Sequence, residues 1–150
     1  MRLTTFTDYT LRVLIYLGVH RDESRLATIG DIASAYEISE NHLMKIVHHL
    51  AQQGYVDTMR GKGGGMRLAR SPEQINIGDV VRGAEEDLAV VECFQEGNFS
   101  CSIVPACTLR GVLEHAMRAF FDVLDGYTLK DLLQHQAKLK KLFRNTGLSA

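Results

Sequence analysis

The sequence predicts a mainly α chain: a winged helix-turn-helix with a small β-hairpin wing, followed by a cysteine-bearing loop and a long dimerisation helix. Three observations predict it. Two capped helical segments flank a tight turn between residues 28 and 50, a glycine-rich basic hairpin occupies 55–69, and a broad apolar helical stripe starts at Leu109. The 150 residues, 45% hydrophobic and 23% charged, suffice for one buried core and exclude a multi-domain enzyme built on a large cofactor fold.

In chain order, Leu11, Leu14, Ile15 and Gly18 follow the i, i+3, i+4, i+7 spacing of one buried helix face, with Thr7 as the expected N-cap. Thr28 caps a second helix, with Asp31 in capping-box position and Ile29, Ile32 and Ala33 as its apolar residues. Tyr36-Glu37-Ile38 turns the chain, and Ser39 caps a third helix. There Leu43, Ile46, Val47 and Leu50 form an apolar face, whereas Asn41, Lys45, His48 and Gln52 share a wholly polar one. Gly54 is expected just past the helix end. Tyr55 to Met59 alternates as a strand, Met66 to Ala69 returns, and Arg60-Gly61-Lys62-Gly63-Gly64-Gly65 makes the tip. Consecutive glycines there allow close approach to another surface.

Pro72 opens a link to a helix near Gly78 to Glu86. Residues 92–107 carry Gly, Asn, Ser and Pro with no helical period and read as a loop. From Leu109, the residues Val112, Leu113, Ala116, Met117, Phe120, Phe121, Leu124 and Tyr127 continue one broad stripe. The first 76 residues can close a core without that stripe, so a homodimer seam is expected. Thr128 with Asp131 starts a shorter helix, and the basic tail from Lys138 to Arg144 is expected to fray. The expected divisions are 1–76, 77–108 and 109–150.

Net charge is −1, which excludes a uniformly cationic coat, yet the charge is segregated. Arg60, Lys62, Arg67 and Arg70 stand with no acid among them, whereas Asp79, Glu85, Glu86, Asp87, Glu92 and Glu96 face Arg82 alone. Without an apolar leader or a membrane-length apolar run, a cytoplasmic protein is expected. No enzyme is expected: the glycine run lacks the spacing of a phosphate or dinucleotide loop, and neither a serine elbow nor HExxH occurs. His48 and His49 are adjacent on a helix and point apart, so a shared metal site is not expected there.

All three cysteines, Cys93, Cys101 and Cys107, lie in the one loop as C-x7-C-x5-C. This is too wide for the paired cysteines of a zinc finger or ribbon, and an odd count in a reducing compartment argues against disulfides. Three thiolates on one cofactor fit an iron-sulfur cluster better than zinc, with inert or redox-sensing thiols as the other reading.

Arg2-Leu3-Thr4 with Thr7-Asp8-Tyr9, then Asn41 to Ile46, Gly54-Tyr55-Val56, the Arg60 to Gly65 tip and the spaced cysteines together resemble the IscR/NsrR family of bacterial winged-helix regulators along the whole chain. Asp8 and the C-x7-C-x5-C spacing point to its nitric-oxide-sensing branch. The resemblance implies a homodimeric repressor that binds double-stranded operator DNA and holds one iron-sulfur cluster per subunit, 4Fe-4S in preference to 2Fe-2S. Cys93, Cys101 and Cys107 are the implied ligands, with Asp8 of the partner subunit as the candidate fourth, and nitric oxide is the implied signal. For DNA, Asn41, His42 and Lys45 are expected at base edges or phosphates, Arg60, Lys62 and Arg67 at the wing, and Arg2 and Thr4 at the backbone. Two alternatives are a regulator of the same fold that reports iron or iron-sulfur supply, and a small iron-sulfur electron carrier.

Overall fold

A computed structural model describes residues 2–97 and 100–146, so Asn98 and Phe99 of the expected loop and residues 147–150 of the tail lie outside the described residues. Helix α1 spans Thr5–Val19, and its N-cap is Thr4, not Thr7. The Thr4 hydroxyl accepts the Thr7 N–H at 3.2 Å, while Thr7 itself is fully buried. The Glu85 carboxylate selects between the two threonines: it accepts the Thr4 N–H at 2.7 Å and the Thr4 hydroxyl at 3.2 Å, holding Thr4 extended.

Helix α2 (Ile29–Tyr36) carries the expected capping box between Thr28 and Asp31. Burial works against the Asp31 carboxylate, but the Arg25 guanidinium and the Thr28 N–H and hydroxyl overcome it and hold its pKa below the ordinary value. Ser39 caps α3 (Glu40–Gln52). Helix α3 ends with the Tyr55 N–H bonded to Leu50 O and the Gly54 N–H to Ala51 O, a paired closure for which Gly54 takes a φ of +72°.

Strands β1 (Val56–Met59) and β2 (Gly65–Leu68) pair antiparallel with Asp57 opposite Arg67 and Met59 opposite Gly65. Ala27 and Met66 exchange backbone hydrogen bonds at 3.2 and 2.7 Å, which docks the hairpin on the residue preceding the α2 cap. Gly65 serves this docking, and Gly64 the tight tip itself. A side chain at Gly65 would strike Leu26 and the Ala27 carbonyl, and one at Gly64 would strike the Met59 carbonyl, whereas Gly61 and Gly63 face open space.

Helix α4 (Ile77–Ala84) follows an Asn76 cap, and residues 92–94 and 104–106 are single 3-10 turns. Then come α5 (Thr108–Asp125), the short α6 (Leu129–Leu132) and α7 (Gln136–Thr146). One core takes Val13, Leu14 and Leu17 from α1, Ile32 from α2, Leu43, Ile46 and Leu50 from α3, Val80 and Val81 from α4, and Leu129 from α6.

The apolar stripe of α5 divides in two. Phe121 and Leu124 lean on the core, but Leu109, Val112 and Val123 are exposed, Val112 by 59%. With the exposed Ala116 and Ala119, these residues recur at alternating spacings of three and four, the pattern of a helix–helix seam. The tail does not fray as expected. Its Phe143 ring packs against Tyr16, His20 and Tyr36, Lys140 pairs with Glu23 at 3.3 Å, and the Gln136 amide donates to Val19 O at 2.7 Å. These contacts dock a helix where composition alone reads as a solvated basic end, and burial raises the pKa of both tyrosines.

Candidate DNA-binding face and cysteine segment

The apolar face of α3 is locked into the core, and that locking fixes which side chains point outward. Asn41, His42, Lys45 and His48 are exposed together along it. Met44 joins them, 50% exposed. Binary patterning groups it with no apolar set, so pattern-reading misses it. A thioether among polar groups on a helix of this kind suits the 5-methyl group of thymine. The His42 ring lies 6.3 Å from Tyr9 of α1, and the Arg12 guanidinium stands 5.5 Å over the same Tyr9 ring. His49, at the inner edge of α3, meets Phe6 edge-on, and burial lowers its pKa.

Arg60 and Lys62 are exposed at the hairpin tip, and Arg67 is exposed on β2 with only a 4.0 Å approach to Asp57. The fourth basic residue of that run has another task. Arg70 donates to Gly54 O at 2.9 Å and Gln53 O at 3.0 Å, and its guanidinium lies over the Tyr55 ring. It satisfies carbonyls at the end of α3 and so fixes the angle between helix and wing. No local signal announces this, because the partners lie 16 and 17 residues away. Arg2 is exposed on a groove of about 470 Å³ shared with Glu85, Asp87, Leu88 and Phe120, while the Thr4 hydroxyl is engaged by Glu85 and by the α1 cap.

The cysteine segment is organised differently. Asp87 accepts the Ala89 N–H at 2.7 Å and the Gln95 amide at 3.1 Å, which pins the turn carrying Cys93 and holds the Asp87 pKa down. Cys93 and Cys107 are half-buried, Cys101 is exposed, and all three are free thiols. Cys107 caps α5, its sulfur accepting the Arg110 N–H at 3.4 Å. Asp8 lies in the first turn of α1, where Arg12 grips both its oxygens at 3.1 and 2.8 Å. The i, i+4 spacing signals that pair. Among the described residues, no three His, Cys, Asp or Glu side chains converge on one point. The three cysteines are loop-borne thiols, one of them capping a helix, a donor type that can hold iron, and among the described residues they and Asp8 do not form one group. Among the described residues, no helix is long and apolar enough to cross a membrane.

A helix pair whose second member presents polar side chains beside a basic hairpin defines a winged helix-turn-helix protein. The chain belongs to the Rrf2 family of transcriptional regulators: that family's model, described as an iron-dependent transcriptional regulator, matches residues 3–135. The chain is 50% identical over 144 residues to the HTH-type transcriptional regulator NsrR of Bacillus subtilis, covering 96% of this chain and 98% of that one. It is likewise 50% identical over 144 residues to NsrR of Geobacillus kaustophilus, covering 96% and 97% of the two. Among solved structures it is similar to T. potens IscR, with a TM-score of 0.70, 28% identity and coverage of 89% and 87%. It is also similar to CymR, the global cysteine regulator of B. subtilis, at a TM-score of 0.69 and 27% identity, covering 88% and 95%. The expected fold and the absence of enzymatic function agree with these relatives, which are named regulators.

Proposed function

We propose that this regulator is a homodimeric repressor whose grip on operator DNA depends on an iron-sulfur cluster and is released by nitric oxide. The observation that carries the DNA half of this reading is the exposed row of Asn41, His42, Met44 and Lys45 on α3 beside the basic tip at Arg60 and Lys62. In the major groove this row meets base edges, while Arg60, Lys62 and Arg67 meet phosphates or the adjoining minor groove. Arg2 adds a backbone contact, and the engaged Thr4 hydroxyl leaves its residue the lesser role of setting where α1 begins.

Cys93, Cys101 and Cys107 would hold the cluster, with Asp8 of the partner subunit as the candidate fourth ligand. A bound 4Fe-4S cluster, or the alternative 2Fe-2S form, would supply iron able to react with nitric oxide. Asp8 suits a releasable fourth position because a carboxylate binds iron less firmly than a thiolate, and because Arg12 stands ready to take it back. The exposed α5 stripe supports pairing of two copies, and identity at the 50% level to proteins named NsrR supports the choice of signal. Iron-dependent regulation is a second reading, favoured by the description of the family model.

The deciding experiment titrates anaerobically reconstituted protein with nitric oxide, and separately with an iron chelator, while following operator retention. Loss of binding at a few equivalents of nitric oxide is expected. Equal operator affinity for metal-loaded and metal-free protein would overturn the proposal, and loss with chelator alone would favour iron sensing. Arg60→Ala is expected to weaken binding to all sequences evenly and to reduce the log K against log salt slope by about 1.

A further inference from the structure

Helix α5 joins the DNA-binding head through its last turn, and the contacts there are unusually specific in direction. Arg82 of α4 donates from both terminal nitrogens to the two Asp125 oxygens, at 2.8 and 2.6 Å. The same guanidinium lies 4.4 Å from the centre of the Phe121 ring, so it grips α5 on two successive turns. The Asn76 amide donates to the Asp125 backbone carbonyl at 2.8 Å, and the Ile77 N–H and Leu129 N–H bond across to Tyr127 O and Ile75 O. Gly78 makes the approach possible, because a methyl group in place of its hydrogen would overlap the Asp125 carboxylate. The pair is about two-fifths exposed, so its worth lies in geometry more than in binding energy.

The lever is long. Eighteen residues of α5 span roughly 27 Å, so a rotation of about 10° at the joint moves the far end by roughly 5 Å. Two heads that must enter half-sites about 34 Å apart tolerate little of that. We infer that Arg82, Asp125 and Gly78 are positioning residues that set the angle between the DNA-binding head and α5, and thereby the half-site spacing the dimer accepts. The inference rests on the dimeric, operator-binding reading above and adds to it a place in the chain where spacing is fixed. None of the three residues needs to touch DNA, the cysteines or the exposed seam.

The test compares wild type, Gly78→Ala, Asp125→Ala and the double variant on three duplexes: an operator selected by the wild type from random sequence, one half of it, and the operator lengthened by one base pair between halves. Circular dichroism melts verify folding, and Arg82→Gln replaces any variant that fails it. Each single variant is expected to lose about tenfold on the operator and nothing on the half-site. The double variant should be no worse than either single one, because both remove the same contact. Wild type should reject the lengthened operator while the variants discriminate against it much less.

Equal behaviour of variants and wild type on all three duplexes overturns the inference, as does an equal loss on half-site and operator, which would mark a damaged head. A wild type that binds half-site and operator alike would instead refute the dimeric reading, and the inference with it.

Discussion

Residues up to Ala84 supply every buried apolar side chain among the described residues except Leu129, whereas α5 buries none along its eighteen residues. The two regions also differ in how polar groups are used. In the head, capping side chains and Arg70 satisfy helix ends within the chain. In the arm, Asp87 pins one turn and Cys107 caps α5, but the apolar row of Leu109, Val112 and Val123 faces outward. The difference separates a unit that buries its own apolar side chains from one that leaves an apolar row open, the row that the proposed second copy would cover.

The sharpest way to break this comparison is to shorten the same side chain in both regions. Leu43→Ala, in the core, is expected to cost about 2–5 kcal/mol, while Leu109→Ala in dilute, monomeric protein should cost less than about 0.5 kcal/mol. Denaturant melts measure both, and comparable losses would show that α5 is part of the folding unit. Next, Val112→Asp places a carboxylate in the proposed seam and should weaken self-association by about 2 kcal/mol or more, read by sedimentation, with the head still folded. A smaller effect comes from Thr28→Ala, which removes one half of the α2 capping box and should destabilise the head by about 1 kcal/mol.

The smallest effect sharpens the picture of the head through pH. Burial lowers the His49 pKa in the folded state, so the unfolded chain binds the proton more readily. Stability should therefore fall as pH drops below about 6.5, the unfolded value, and level off below the folded one. His49→Phe keeps the edge contact with Phe6 and should flatten this part of the melting profile relative to wild type, by a few tenths of a kcal/mol.

How much of this was legible depends on how far away each cause lies. The Thr28–Asp31 and Ser39 caps and the Gly54 closure are set by residues within five positions of one another, and the hairpin by pairs no more than twelve apart, so the sequence shows them directly. Thr4 and Thr7 look equally good as caps locally; Glu85, 81 residues on, decides between them. The docked tail is the same case, since Phe143 finds its ring partners more than a hundred residues earlier. The α5 stripe was visible as one apolar band, and its division into an inward and an outward half requires the position of α4. At the site, residue types identified the thiols and the polar helix face. The grip of Arg12 on Asp8 was within reach of spacing rules, whereas the service of Arg70 to α3 was not.

A head whose fully buried side chains all come from outside residues 85–128, with Phe121 and Leu124 only leaning on them, has a practical corollary for protein engineering. The stretch from Glu86 to Phe120 is then exchangeable for that of a related regulator, with Glu85 and the Phe121 to Asp125 end retained, and the chimera should still melt as the parent head does. One folding module could thus be wired to many chemical inputs, diversification proceeding by transplanting loops and leaving the reader intact.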